Sequence, residues 1–457
     1  MGQLMMHRRS FSRFAFASAL ALPVSPLAVL AARRNRDKIK ITGIKSHEIY
    51  APYRKHNAET LFRYHGQHIQ AKTIHLMSTN IGLVGIGENW GNAYLKPEDI
   101  KKYIGTSPFD WLGHKKDLPM NMACYDLMGK FLDIPAWKLI GPQVRKSIPV
   151  MAWTVSQLPS ALKTEIREVS KMGYRWLKYH IDEIQNVVEQ ARVMQEVAPE
   201  GFRVQFDFNA NSHIKAIDPV LEKLSKFPVI ARIEDPISAA YPKDWRTITK
   251  KHKLQILGHH TPVQFLVDGL CDAYMAGHAP IGSAQHVSAV AQQVGKPFML
   301  QQAGGTINQA FLAHEVSVFP NATIDHCNLA HLWSADVTTK QMKVTNGRVA
   351  VPDGPGLGVS IDMDRLQSPE FRRKPKYKPF LLRIRYKNGP TIYTRHNADR
   401  PGKTDAMRFL SRLLGKGKLP GPTPAYDNDV ATHFISDLST RKMQRMWQRT
   451  KNGYVVE

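Results

Sequence analysis

Eight short apolar runs between residues 148 and 325 constrain the fold of this chain more than any other feature. Each run is followed by a helical pattern, and successive runs end roughly 16–27 residues apart, the length of one strand, one helix and two loops. This succession predicts a parallel (β/α) barrel rather than an open sheet. The runs are Ile148–Trp153, Trp176–His180, Arg203–Asp207, Ile230–Glu234, Gln255–His259, Ala273–Met275, Pro297–Gln301 and Thr323–Asp325.

Ionisable residues stand at the ends of several of these runs. In a parallel barrel the carboxyl ends of the strands meet at one face, and the chemistry takes place there. Lys178 and His180 end the second run, and the next three runs end at Asp207, Glu234 and His259. We therefore expect these five side chains to line one site.

The barrel is expected to span residues 146–370, between two regions of different character. Residues 38–145 alternate strand and helix patterns, which predicts a separate α+β domain. Residues 371–457 predict a small extension that contains a β-hairpin around an Asn-Gly turn.

The N-terminus, residues 1–37, resembles a twin-arginine export signal. Arg8-Arg9 precedes an apolar run from Phe14 to Ala32 that is short for a membrane span. Signals of this type export proteins that are already folded, so we expect a periplasmic or cell-envelope location. The alternatives are an uncleaved membrane anchor and a basic start without a targeting role.

The net charge of +25 is concentrated near the C-terminus. From Glu370 onward there are 20 Lys and Arg residues against 7 Asp and Glu residues. Such an extension could meet an anionic polymer or a membrane surface, or could be only a solvated basic appendage. No specific nucleic-acid site is predicted.

Four segments resemble the mandelate racemase/muconate lactonizing branch of the enolase superfamily. They are Ala123–Gly141, Asp207–Asn209, Glu234–Pro236 and Pro355–Asp362, and their order and spacing extend the resemblance over about residues 40–365. The resemblance implies a TIM-like (β/α)7β barrel under an α+β capping domain, with the basic extension outside the pattern. It also implies one Mg²⁺ ion, removal of a proton α to a carboxylate, and a homo-oligomer acting on a small acidic substrate.

The resemblance assigns Asp207 and Glu234 to the metal. At the end of the fifth strand this chain has Gly258-His259 where the family usually has Gly-Glu or Gly-Asp. Imidazole suits softer ions better than Mg²⁺, so His259 predicts either a site for Mn²⁺, Fe²⁺ or Zn²⁺ or a weakened Mg²⁺ site. His260 is the alternative ligand.

Lys178 and His180 stand where many relatives carry Lys-x-Lys, which makes either of them the candidate base. The Asp and His that many relatives place on the sixth and seventh strands are replaced by Gly277 and Gln301. His278 is adjacent to Gly277 and is expected to point elsewhere. The two-base arrangement of racemases is therefore predicted to be absent.

Further residues are candidates for substrate binding. Asn209 follows Asp207, Gln301 ends the seventh run, and Asp325 stands near the place where relatives offer a Glu. Arg54 and His56 lie where loops of the capping domain close over the substrate in the family.

Together these features predict a metal-dependent lyase that dehydrates a hydroxy or sugar acid, or an isomerase of the same superfamily. One alternative is a descendant of the fold that binds an acidic ligand without turnover. Another is a surface-binding protein that acts through its basic extension.

Overall fold

The structure is a computed structural model of the chain, and it describes residues 26–65, 70–90, 95–181, 187–376, 378–387, 389–396 and 430–457. Within these ranges no helix is both long enough and apolar enough to cross a membrane. The Arg8-Arg9 motif lies outside the described residues.

The capping domain combines helices with an antiparallel sheet in the order β1-β2-β3. The strands are β1 (Ile41–Tyr50), β2 (Ala71–Thr79) and β3 (Val84–Trp90), and the helices are α1 (Pro26–Asn35), α2 (Ala58–His65), α3 (Pro97–Lys101), α4 (Leu118–Leu132) and α5 (Trp137–Ile140). Helix α4 packs on β3 so closely that a Cβ atom at Gly85 would lie 2.3 Å from the Ala123 carbonyl oxygen. Glycine is therefore required at this contact.

Eight parallel strands form the barrel, as predicted. They are β4 (Ser147–Val155), β5 (Trp176–His180), β6 (Arg203–Asp207), β7 (Ile230–Glu234), β8 (Gln255–Gly258), β9 (Ala273–Gly277), β10 (Phe298–Gln302) and β11 (His326–Asn328). Each strand pairs with the next, and β11 pairs back onto β4, which closes the barrel.

Seven helices connect these strands, which gives the (β/α)7β order. They are α6 (Pro159–Lys171), α7 (Val187–Val197), α8 (Ile214–Leu224), α9 (Pro242–Lys251), α10 (Gln264–Val267), α11 (Ile281–Gln293) and α12 (Thr306–Val318). Pro159 and Pro242 occupy the first turns of α6 and α9, where the missing N–H of proline costs no hydrogen bond. The apolar faces of the seven helices cover the barrel, for example through Leu162 of α6 and Trp245 of α9.

The eighth strand is displaced from its predicted position. The run Thr323–Asp325 was expected to be the strand, but the strand begins at His326, and Gln301 pairs with Cys327. Asp325 therefore precedes the strand and lies at its amino end, where the Arg232 guanidinium donates to its carboxylate at 3.1 Å. The prediction that Asp325 faces the substrate is wrong, because the amino ends of the barrel strands lie on the opposite side of the barrel from the site.

After the barrel the chain returns to its first strand. Strands β12 (Val344–Thr345) and β13 (Arg348–Ala350) form a hairpin, and β13 pairs antiparallel with Ser147–Pro149 of β4. Strand β11 pairs with the next part of β4, at Val150 and Met151. Helices α13 (Met363–Gln367) and α14 (Pro369–Arg372) follow.

A buried ionic cluster joins the capping domain to the barrel. Lys72 of β2 is fully buried, and its ammonium lies 3.0 Å from Glu88 of β3 and 3.1 Å from Asp336. The two carboxylates accept the free backbone N–H groups at the start of α12, at Gly305, Thr306 and Asn308. The N-terminus of a barrel helix is thus capped by an acid from the capping domain.

The C-terminal extension forms a four-stranded antiparallel sheet in the order β16-β14-β15-β17. The strands are β14 (Phe380–Tyr386), β15 (Thr391–His396), β16 (Val430–Ile435) and β17 (Val455–Val456), and helix α15 spans Arg441–Arg449. The predicted hairpin is present as β14 and β15. One face of the sheet packs on Met446 of α15, and the other places Phe380 against Phe62 of α2 at 6.3 Å between ring centroids. The extension therefore rests on the capping domain.

Candidate active site

Two carboxylates from neighbouring strands form the centre of the site. Asp207 ends β6, Glu234 ends β7, and the two residues are register partners, so both side chains enter the barrel from the same level. Both are buried, with 1% and 0% of their surfaces exposed. Buried carboxylates require counter-charges or hydrogen-bond donors.

Lys178 provides one counter-charge to both acids. Its ammonium lies 3.0 Å from Asp207 Oδ2 and 2.6 Å from Glu234 Oε2, and it is fully buried. Burial lowers the pKa of Lys178, but the two carboxylates outweigh burial and raise the pKa above its usual value. The ammonium in turn helps to hold the pKa of Glu234 below its usual range despite burial. In this arrangement the Lys178 ammonium is held between the two carboxylates.

His180 ends the same strand two residues later and faces the same side. It is the register partner of Asp207, and its Nε2 atom lies 3.7 Å from Asp207 Oδ2. Its ring packs beside Trp153, with 5.7 Å between ring centroids. The structure thus places an imidazole directly beside the two acids, nearer the barrel mouth than Lys178.

His259 approaches the acids from the end of β8. Its Nδ1 atom is buried 3.0 Å from Glu234 Oε1, but the two are not aligned for a hydrogen bond, and Nδ1 has no hydrogen-bond partner among the described residues. Asp235 fixes the backbone here by accepting from the N–H groups of His259 and His260 at 2.8 and 2.9 Å. The sequence did not single out Asp235, although it is part of the Glu234-Asp235-Pro236 segment.

His260, the alternative ligand, is paired with Asp235, and its side chain is 54% exposed. Its Nδ1 atom lies 2.6 Å from Asp235 Oδ2, an interaction that raises the pKa of His260. Asp235, His259 and His260 together offer atoms close enough to hold a cation. Because Asp235 already accepts from two backbone N–H groups and from His260, we assign it the task of positioning His259.

The opposite side of the mouth is formed by β9, β10 and the capping domain. Gln301 has a buried side-chain oxygen that finds no hydrogen-bond partner among the described residues, so it is available to a ligand. His278, which was expected to point elsewhere, has a left-handed backbone with φ of +50°, and its ring stacks on Trp90 of β3, 5.1 Å away. Burial and the nearby charges of His259 and Lys178 lower the pKa of His278 to about 3. Trp90 was not predicted as a site residue, although it is the last residue of β3.

Three of the predicted substrate contacts have other roles. The backbone N–H of Asn209 donates to Asp207 Oδ1 at 2.9 Å, and its side-chain amide donates to the Ile181 carbonyl at 3.4 Å, so this residue supports the acid and the adjoining backbone. His56 Nε2 lies 3.1 Å from Glu165 of helix α6, and Arg54 donates to the His331 carbonyl. Arg54 and His56 line a surface cavity of about 540 Å³ on the outer side of α6, away from the strand ends.

Asp207, Glu234 and His259 are the residues at the mouth that would hold a divalent cation, although among the described residues the three ligand atoms that already lie within 4.8 Å of one another belong to Asp235, His259 and His260. Asp207 and Glu234 offer carboxylate oxygens, and His259 adds a buried nitrogen that lacks a hydrogen-bond partner. One ammonium against two carboxylates leaves a net negative charge in a buried place, which a cation would neutralise. Oxygen and nitrogen donors of this kind bind divalent metals.

Comparison with known proteins agrees with this geometry. Residues 161–365 match the profile of the enolase C-terminal domain-like family. The chain is 22% identical over 343 residues to a D-xylonate dehydratase from Haloferax volcanii, covering 64% of this chain and 83% of that protein. It is 24% identical over 273 residues to a chloromuconate cycloisomerase from Pseudomonas putida, covering 54% of this chain and 70% of that protein.

Over residues 161–365 the barrel of this chain is similar to the enolase superfamily, in its mandelate racemase/muconate lactonizing branch. The fold extends the match to the capping domain. A muconate cycloisomerase from Pseudomonas fluorescens superposes with a TM-score of 0.59 at 19% identity, over 73% of this chain and 99% of that structure. The superfamily resemblance and the fold class predicted from the sequence are therefore confirmed.

Proposed function

We propose that this protein is a metal-dependent lyase that removes the proton α to the carboxylate of a hydroxy or sugar acid and expels the β-hydroxyl as water. Its relatives include a dehydratase that acts on D-xylonate and cycloisomerases, which supports proton abstraction by an enzyme of the lyase or isomerase type. The observation that carries the proposal is the imidazole of His180 beside the buried Asp207 and Glu234 pair.

The cation would be held by Asp207, Glu234 and His259. When bound, it would stabilise the second negative charge that builds up on the substrate carboxylate as the α-proton leaves. Lys178 stays protonated beside the same acids and adds positive charge from deeper inside the barrel. We expect this site to bind a divalent ion.

His180 acts as the base. A base must stand close to the carbon it deprotonates, and His180 adjoins the place where the acid would be held. The imidazole accepts the α-proton, becomes an imidazolium and then donates that proton to the departing hydroxyl group, which leaves as water. Because the α-carbon of a sugar acid also carries a hydroxyl, the product that remains is an enol, which tautomerises to a 2-keto acid. Because one imidazole serves both steps, the proton and the hydroxyl leave from the same face.

Among the residues that the structure describes, those opposite His180 do not offer a second base. Gln301 is an amide, and Gly277 has no side chain. His278 turns Nδ1 toward the Ala303 N–H at 3.5 Å, a long contact that favours the tautomer with its proton on Nε2. We therefore expect one stereochemical outcome rather than racemisation.

The test is hydrogen exchange in D₂O. The purified, metal-loaded protein is incubated with a panel of hydroxy and sugar acids, and NMR follows loss of the α-proton and formation of a 2-keto acid. His180→Asn should slow both by on the order of 100-fold or more. His433→Asn is the matched control, because this exposed histidine lies on β16 of the C-terminal extension, and it should retain most of the rate.

A metal-loaded protein that exchanges no acid in the panel would refute the proposed reaction. If such a protein still bound an acid in a titration, the non-catalytic alternative would be favoured. That alternative has one supporting observation, because the Lys178 ammonium already pairs with both acids without a metal.

A further inference from the structure

We infer that His259 and Gly277 act as one unit that directs the site toward a transition ion such as Zn²⁺ and away from Mg²⁺. This inference rests on the metal site of the proposed function but not on its reaction. In the sequence the two residues looked like separate departures from the family pattern, a missing acid on the fifth strand and a missing acid on the sixth. The structure shows that they are a single steric arrangement.

The imidazole of His259 fills the space that a side chain at residue 277 would need. A Cβ atom at Gly277 would lie 2.2 Å from His259 Nε2 and 3.1 Å from both neighbouring ring carbons. Real Cβ atoms do not approach other atoms this closely, so any residue larger than glycine forces the ring to move. Glycine at the end of β9 is therefore a condition for the observed position of His259.

In this position the Nδ1 atom of His259 faces the acids that would hold the metal. Nδ1 lies 3.0 Å from Glu234 Oε1, a separation that suits two neighbouring ligands of one ion. Asp235 restrains the backbone of His259, and the ring of His260 lies against it with 3.9 Å between centroids. Asp235, which follows β7, and the neighbouring His260 therefore restrain the ring of His259. The absence of a side chain at Gly277 leaves the room that the ring occupies.

The donor change alters which ion fits. Replacing a carboxylate by a neutral imidazole removes one negative charge and one hard oxygen donor from the site. Mg²⁺ binds oxygen ligands almost exclusively, whereas Zn²⁺, Fe²⁺ and Mn²⁺ accept imidazole nitrogen. Lys178 lowers the negative charge further, which again disfavours an ion held mainly by charge.

The first measurement is made on the metal-free full-length protein without substrate. Zn²⁺ and Mg²⁺ are titrated in competition with a chelating indicator, and Zn²⁺ is expected to bind at least about 100-fold more tightly than Mg²⁺. Pulsed EPR of the Mn²⁺-loaded protein should show coupling to one ¹⁴N nucleus. The Asp207→Asn variant lacks one of the metal ligands, so the part of the EPR signal that it loses is the part that comes from this site.

The second measurement separates the two residues. His259→Asp should abolish the ¹⁴N coupling and reduce the preference for Zn²⁺ over Mg²⁺ by about tenfold or more. Gly277→Ala should have the same effect although it changes no donor atom. Gly43→Ala is the matched control, since this strand glycine has open space around its Cβ position, and it should change neither readout.

A double variant guards against a general packing defect. In the His259→Asp background, Gly277→Ala should change metal affinity by less than about threefold, because the shorter side chain leaves the space empty. A wild-type preference for Mg²⁺, an absent ¹⁴N coupling, or an unchanged Gly277→Ala variant would each overturn the inference. Failure of every acid to exchange would count only against the proposed reaction, because no substrate is used here.

Discussion

At the scale of single residues, Lys178 is the side chain whose removal tells most about the site. Lys178→Met would leave Asp207 and Glu234 buried without their ammonium, which should lower the free energy of unfolding of the metal-free protein by roughly 3–5 kcal/mol. Saturating Mn²⁺ should restore most of that loss, because a cation takes over the counter-charge.

Urea unfolding with and without Mn²⁺ measures this difference. Lys171→Met is the control, since Lys171 pairs with Glu168 on the outer surface and its loss should be close to neutral with or without the ion. An equal loss for Lys178→Met in both conditions would show that the ion does not share these two acids with the ammonium.

At the scale of elements, the start of helix α12 depends on two strands of the capping domain. Lys72→Met would leave Glu88 and Asp336 buried without a cation and should destabilise the protein by roughly 3–5 kcal/mol in chemical unfolding. Adding Glu88→Gln to this variant should recover part of the loss, because one unpaired charge is then gone. A double variant less stable than Lys72→Met would contradict this. It would mean that the hydrogen bonds from the Gly305 and Asn308 N–H groups to the Glu88 carboxylate stabilise the protein by more than the unpaired charge of Glu88 destabilises it.

Helix α12 itself carries a buried acid, Glu315, that has no counter-charge among the described residues. Burial raises the pKa of Glu315 well above its usual value, and only the hydrogen bond from Gln302 opposes this. The folded state then binds more protons than the unfolded state above the usual glutamate pKa, so the stability contribution of Glu315 falls as pH rises. Glu315→Gln should therefore stabilise the protein more at pH 8 than at pH 5, and a pH-independent effect in thermal unfolding would contradict this.

At the scale of the whole molecule, the targeting of the chain stays a prediction. We propose export through a twin-arginine signal, on the basis of Arg8-Arg9 and the apolar run that follows. Changing both arginines to lysine should leave the precursor in the cytoplasm, as measured by cell fractionation of the full-length protein. Unchanged export would rule out this signal. The expected homo-oligomer and the anionic partner of the basic extension are likewise open to test.

The sequence predicted the barrel well because its strands are continuous apolar runs with regular spacing. Asp325 was misplaced because the end of an apolar run does not fix its register with the neighbouring strand. Arg54 and His56 were misplaced for a different reason, since the course of a polar loop depends on tertiary contacts such as Glu165. Gly277 suggested only a missing acid, and its steric relation to His259 could be recognised only in three dimensions.

The return of β13 to the first barrel strand has a consequence for how the chain is made. Strand β4 gains its last partners only when residues 326–350 have left the ribosome, almost 200 residues after β4 itself. At typical translation rates this leaves one edge of β4 open for roughly 10–40 s. We expect nascent chains truncated before residue 326 to need chaperone protection, which limited proteolysis of stalled ribosome complexes would reveal.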